Sequence, residues 1–316
     1  MKKHFRDYNK SDNNNKVVKT YKKMLEKQTL KYVLNKKKIY QKYPNIKKHI
    51  WVVFDLLDNI IDESDPDTDL PQIIHAYQTA QALQIQFIKF QSNLLKTNLK
   101  IKDLFRKNEW RYLPEFVKTL YDKKYINELY AHICDWSWLP VVGLIHDLGK
   151  VIMLPKFGKL KQWSVVGDTF PVGCLFTNKN VFYYNDFRKK CKDFKKYNSH
   201  YGIYSYQCGL EKLHMSYGHD EYLASVLEKN NTNLPKEAIY IIRFHSFYAW
   251  HTSFRHALRG YTYFASDYDW KMLPLLKLFQ QADLYSKIPE IPETNNIKEI
   301  YNPLFCKYGL NKEMIW

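Results

Sequence analysis

Six residues of this chain are of types that hold metal ions, and each falls in otherwise apolar, helical surroundings: His75, His146, Asp147, His219, His245 and Asp283. Imidazole and carboxylate ligands suit divalent transition metals. Four His and two Asp would satisfy two ions if one carboxylate bridged them. The densest signal is Val141-Val142-Gly143-Leu144-Ile145-His146-Asp147-Leu148-Gly149-Lys150, where an apolar run delivers a His and an Asp side by side and a Gly-Lys pair follows. Helix neighbours project about 100° apart, so His146 and Asp147 can lean towards one shared centre. A second His-Asp pair stands at His219-Asp220. Spacing alone leaves two readings open. Either the six residues converge on a dinuclear centre, or they are scattered core residues held by hydrogen bonds.

The elements that must position them read as helices. The chain has 316 residues, 45% hydrophobic and 16% aromatic, enough for a sizeable core in one large domain or two modest ones. Ten Gly and twelve Pro are few, and apolar positions recur with helical spacing, which favours helices over a many-turn sheet protein. Val17 to about Tyr40 keeps a broken helical spacing, and Ile50 to Ile61 is a clearer helix. That helix runs into the acidic stretch Asp62-Glu63-Ser64-Asp65-Pro66-Asp67-Thr68-Asp69, where Pro66 forbids its continuation. Such a stretch is either a solvated loop or a polyol site, since carboxylates accept hydrogen bonds from several hydroxyls at once.

Pro71 then opens a helix carrying His75, and later helices carry His219, His245 and Asp283. Trp163 to Cys174, punctuated by Gly and Pro, is the one place where a small strand or hairpin is expected, with Val181 to Tyr184 as its partner. Residues 84–132 contain no Gly and carry ten Lys/Arg against five acids, and they read as an insertion within a single domain spanning 1–316.

The net charge of +17 is concentrated at one end. Residues 1–50 hold sixteen Lys/Arg against three acids, a net +13, and the rest of the chain is nearly balanced. No Arg-rich patch interleaved with stacking aromatics and no zinc-finger or RNA-binding signature accompanies it, so the face reads as solvated rather than as a nucleic-acid footprint. Five Cys without a Cys-x-x-Cys argue for a reducing compartment. No signal-type apolar segment opens the chain and nowhere do 18 apolar residues run together. The expectation is a cytoplasmic monomer that binds neither nucleic acid nor membrane.

Longer stretches carry a resemblance. Phe5-Arg6-Asp7-Tyr8, Asp62 to Asp67, His75-Ala76-Tyr77-Gln78-Thr79-Ala80, Gly143 to Lys150, Val165 to Cys174, Met215 to Tyr222, Ile242 to Tyr248, Trp250-His251-Thr252 and Asp283-Leu284-Tyr285 occur in this order. On these stretches the chain resembles the myo-inositol oxygenase family of the HD-domain superfamily of helical metalloproteins. The likeness covers nearly the whole chain outside about 84–132. It implies an all-α, HD-domain-type helical bundle with at most a small β-hairpin, and a mixed-valence Fe(II)/Fe(III) pair that uses O2 to cleave myo-inositol to D-glucuronate.

Carried over residue by residue, the resemblance gives one iron to His75, His146 and Asp283, the other to His219 and His245, with Asp147 as the bridge. Substrate would chelate the second iron beside His245. Lys150 matches the substrate-contacting lysine, where an ammonium polarises a reacting oxygen. Asp62, Glu63, Ser64, Gly167, Asp168 and Ser246 fall where the family grips the other hydroxyls. Arg6 matches an arm folded over the site and Lys287 a basic residue at its entrance, a lid arrangement that excludes water. Two departures are visible: the insertion between His75 and His146, and Ala249 where the family usually has Pro. The rival enzyme reading is an HD-domain metal-dependent phosphohydrolase, which needs Arg or Lys groups placed for phosphate. A non-catalytic basic scaffold would leave the buried His/Asp set unexplained.

Overall fold

The apolar periodicities condense into ten α-helices among the described residues, joined by short 3-10 turns and one small sheet. The computed structural model describes residues 14–42, 45–67, 69–97, 136–252, 260–285 and 296–316. The class is all-α, as expected. The broken spacing near the N-terminus resolves into α1 (Asn14–Lys27) and α2 (Leu30–Tyr40). They separate at Gln28-Thr29, where the Thr29 hydroxyl accepts a hydrogen bond from the Tyr32 N–H and so caps α2. The next expected helix is shorter in α form: α3 (Ile50–Asp55) passes into a 3-10 turn, Leu56–Asn59, that leads to the acidic loop.

Pro71 precedes α4 (Gln72–Thr97), so the expected insertion boundary at 84 falls inside a continuous helix. The remainder of 84–132 beyond Thr97 lies outside the described residues. The His-Asp run forms α5 (Trp138–Ile145), every residue of which is buried. It lies tightly on α4, because a Cβ at Gly143 would come within 3.0 Å of the Ala80 backbone. After a long irregular segment come α6 (His219–Lys229), α7 (Lys236–Phe244), the short α8 (Tyr248–His251), α9 (Asp267–Tyr285) and α10 (Ile297–Lys307). One apolar core joins them, with Phe54, Leu57, Leu144, Ile145, Leu223, Ile242, Phe279 and Phe305 all buried within it.

The small sheet is not the expected hairpin. Strand β1 (Lys47–His49) pairs antiparallel with β2 (Glu313–Ile315), Lys48 opposite Met314, so the chain's tail closes onto the entrance of α3. Residues 163–174 form turns instead. Gly167 and Gly173 take left-handed backbone angles (φ +87° and +82°), which interrupt an extended run. The proposed partner, Val181 to Tyr184, is likewise turned by a left-handed Phe182. The isolated bridge that Pro171 makes is to Met215, not to the expected partner. No helix among the described residues is long and apolar enough to cross a membrane.

Candidate metal centre

Helix ends deliver all six candidate ligands to one place. His75 sits in the first turn of α4, His146 caps the C-terminus of α5 with Asp147 next to it, and His219 opens α6. His245 caps α7, and Asp283 lies in the last turn of α9. Every one is buried, His146 completely. Asp147 stands between two pairs of imidazoles. Its Oδ2 is 3.4 Å from His146 Nε2 and 3.8 Å from His75 Nε2, while its Oδ1 is 3.3 Å from His219 Nε2 and 3.9 Å from His245 Nε2. Asp283 Oδ1 completes the first pair, 2.8 Å from His75 Nε2 and 3.6 Å from His146 Nε2.

The ring orientations are fixed from behind. Nδ1 of His146, His219 and His245 donates to the carbonyls of Gly143, Val165 and Ile242 at 2.8, 2.7 and 2.9 Å. A carbonyl only accepts, so these nitrogens carry a proton and each Nε2 is turned to the centre, where a metal ion can replace any proton it holds, as at metal-ligating His residues. The donor set fits metal ions on a second count. His146 Nε2 is buried and makes no hydrogen bond, although two carboxylate oxygens face it. A cation between them satisfies all three atoms. Ligand atoms from His75, His146 and Asp147 lie within 4.8 Å of one another, and so do those from Asp147, His219 and His245.

Electrostatics point the same way. Burial pushes the Asp147 carboxyl up, but Lys150 and the imidazoles around it, His146 foremost, hold it well below the usual carboxylate range. Burial likewise opposes ionisation of Asp283, and His146 and His75 outweigh it. Burial disfavours a charged His219, yet Asp220 and Asp147 raise it to about 10; His245 is raised for the same reasons, with Asp220 first. His146, by contrast, is lowered by burial. The centre therefore gathers anionic oxygen and the protons that metal ions would replace.

One side of the centre is a polar wall. Lys150 is buried with its ammonium 2.8 Å from Asp62 Oδ2, 3.0 Å from Asp147 Oδ2 and 2.6 Å from Gln72 Oε1. Those two carboxylates overcome burial and raise its pKa. Asp62 is also fixed by Ser64, whose N–H and hydroxyl both donate to its Oδ1. Gly167 borders the cavity, and its left-handed backbone lies against Tyr21 and Met24 of α1. Asp168 accepts a hydrogen bond from Tyr21 at 2.7 Å. Ser246 donates to Asp220 at 3.2 Å, and its carbonyl receives the Thr169 N–H, tying the 167–170 turn to His245. Glu63 is set back, half-buried, and accepts from Thr20. Arg6 and Lys287 lie outside the described residues.

Four members of this site are not among the candidate site residues, although Asp220 is noted beside His219 in the second His-Asp pair. Gln72 supports Lys150, Tyr21 reaches the cavity from α1, Asp220 lies 2.7 Å from His219 Nε2, and Tyr248 donates to Asp283 Oδ2 at 3.4 Å. Asp220 and Tyr248 stand inside quoted motifs, so a signal for them existed. Tyr21 and Gln72 carry none, because a phenol on an apolar helix face and a neutral amide after Pro71 are ordinary. Gly149 is held by geometry: a Cβ there would lie 2.1 Å from the His219 carbonyl oxygen, so the turn after Asp147 rests directly on the start of α6.

A helical bundle that brings four imidazoles and two carboxylates to one buried point defines an HD-type metalloprotein with room for two ions. Comparisons with known proteins narrow the class. A sequence profile described as myo-inositol oxygenase matches residues 14–120 and 124–316. The chain is 39% identical to an inositol oxygenase of Dictyostelium discoideum over 99% of its own length and 89% of that protein. It is 36% identical to inositol oxygenases of Danio rerio and Homo sapiens, over 96% of its length and 90% and 88% of theirs. The chain belongs to the myo-inositol oxygenase family.

Proposed function

We propose that this protein converts myo-inositol and O2 to D-glucuronate at two iron ions in the Fe(II)/Fe(III) state. The observation that carries the reading is Asp147, whose two oxygens each face a different pair of imidazoles and so can bridge two ions. His75, His146 and Asp283 would hold one ion, and His219 and His245 the other. Bound there, iron supplies the redox chemistry through which O2 is reduced and the ring is opened. Four electrons pass from the ring to O2 as one C–C bond breaks. One oxygen atom enters the new carboxylate and the other leaves as water.

The chain's own residues bind and orient the polyol. Asp62, held by Ser64, accepts hydrogen bonds from ring hydroxyls, and Lys150 donates to a reacting oxygen. Ser246 and the Gly167-Asp168 turn grip further hydroxyls from the opposite wall. Tyr21, bonded to Asp168, helps to keep water out. The phosphohydrolase reading is disfavoured by the same wall: among the described residues lining the cavity, Lys150 is the only Lys or Arg, and two carboxylates already occupy it. The four described cysteines carry no disulfide, which supports a reducing, cytoplasmic setting. We also read the chain as a single domain, 1–316, with an insertion at 84–132.

The test is oxygen uptake by anaerobically iron-loaded, partly oxidised protein given myo-inositol, with the product identified by mass. Inositol-dependent uptake yielding glucuronate is the expected result. Two bound irons without uptake would overturn the reading. The same assay on a chain lacking 98–132 should give the same product, and failure of that shortened protein to load iron would overturn the single-domain reading.

A further inference from the structure

A buried ammonium has three N–H groups and no lone pair, and its position is set by where those three bonds go. Lys150 spends two of them on carboxylates that have other work. Asp62 uses its second oxygen to accept twice from Ser64, and Asp147 turns its second oxygen towards His219 and His245. Neither can follow the ammonium if it moves. With those two partners alone, the lysine would be free to rock about the line joining them and would keep one N–H unsatisfied in a closed site.

The third partner is Gln72, the first residue of α4, with its amide oxygen 2.6 Å from the ammonium. Gln72 is itself buried, and its backbone N–H donates to the Ile60 carbonyl at 2.8 Å. One residue therefore ties the start of the helix bearing His75 to the acidic loop bearing Asp62, and its side chain ties both to Lys150. It is also the one neutral partner. A third carboxylate is not required for charge, since two already face a single ammonium; what the amide adds is direction.

We propose that Gln72 is a positioning residue for the reaction, its amide oxygen anchoring one N–H of the Lys150 ammonium so that, when a substrate oxygen displaces the bond to Asp62 or Asp147, the released N–H keeps a set direction. The inference rests on inositol turnover at this site. The bond of its amide oxygen goes to Lys150 and not to a candidate metal ligand. Its effect on the chemistry passes through Lys150.

The test compares Gln72→Leu, which removes the acceptor, with Gln72→Glu, which keeps an oxygen at the same reach. Iron per chain, anaerobic inositol affinity, kcat and KM are measured on each. In Gln72→Leu, kcat is expected to fall about thirtyfold, with KM within about threefold and two irons retained, the pattern of an interaction used in the transition state. In Gln72→Glu most of kcat should return. In a Lys150→Ala background, Gln72→Leu should change neither inositol affinity nor residual kcat, because the pair acts as one unit. An unchanged kcat in Gln72→Leu with wild-type turnover intact would overturn the proposal. So would equal losses in the Leu and Glu variants, or additive effects in the Lys150→Ala background. Absence of turnover in the wild-type protein is a separate outcome and rejects the underlying function instead.

Discussion

At the scale of single residues, the centre depends on how closely two backbones approach. Gly149 follows the His-Asp pair by two positions, and a methyl group there would meet the His219 carbonyl oxygen at 2.1 Å, its carbon at 2.8 Å and its Cα at 3.0 Å. All three obstacles are backbone, so no rotamer change relieves them. Gly149→Ala must push the first turn of α6 away, and His219 travels with it. Overpacking of this kind typically costs about 1–3 kcal/mol, and a backbone obstacle belongs at the upper end. The expected outcome is loss of the metal ion proposed for His219 and His245 with a lower melting temperature, read by metal analysis and thermal unfolding. Two irons and an unchanged midpoint would show that α6 is free to shift. The same residue illustrates what the sequence conveyed. The six ligand types stood out because a His or Asp among apolar neighbours demands a partner, as His146 and Asp147 do. Nothing in Gly149 or Gln72 makes that demand, since their importance lies in a distance to another part of the chain.

At the scale of elements, helices were legible and irregular structure was not. Periodicity marked α6 and α7 because each buries one stripe over two or more turns. The segment from Trp163 to Cys174 suggested a strand through its Val, Phe and Trp content, yet left-handed angles at Gly167 and Gly173 turn it around the site. Three-residue strands such as β1 and β2 are too short to show an alternation, and their pairing joins segments far apart in the chain. How α1 is held against the site was equally invisible. Arg188 is buried, its guanidinium donating to the carbonyls of Leu25 and Gln28 at 3.0 and 2.8 Å and lying over the ring of Phe170 at 5.0 Å. It thus satisfies the carbonyl end of α1, the helix that brings Tyr21 to Asp168. Gln28 adds two bonds to the backbone of Tyr217, two residues before His219. Arg188→Met should cost roughly 2–3 kcal/mol by removing charged hydrogen bonds. It should also raise the KM for inositol about tenfold, equivalent to about 1.4 kcal/mol, with iron content unchanged. Thr29→Ala, which removes the α2 cap, should cost about 1 kcal/mol and leave KM alone. Urea unfolding and steady-state kinetics on both variants separate the two effects; equal KM values would show that α1 is held without Arg188.

At the scale of the whole molecule, the centre is where the fold closes on itself. His75 and Asp283 are 208 positions apart in the chain yet 2.8 Å apart at their ligand atoms. No spacing rule could anticipate that closure, which is why the residues alone left scattered core histidines as an equal reading. It was the ordered family resemblance that joined them. The closure has an energetic consequence. Burying four imidazoles, four carboxylates and an ammonium among apolar helices is unfavourable unless every charge is answered, and His146 Nε2 is answered by no hydrogen bond among the described residues. Ions that bind the folded centre and not the unfolded chain supply that answer, adding about 2.7 kcal/mol at a hundredfold excess over their dissociation constant and about 4.1 at a thousandfold. For a chain of this size each kcal/mol moves the midpoint by roughly 2 °C. Anaerobic removal of metal with a chelator should therefore lower the melting temperature by roughly 5–8 °C, and readdition of ferrous iron should restore it. The same treatment of Asp147→Asn should produce a smaller shift, because the carboxylate proposed to bridge two ions is gone. A melting temperature indifferent to chelator in the unmodified protein would mean that these helix ends are held together without metal, and the centre would have to be read as a hydrogen-bonded core.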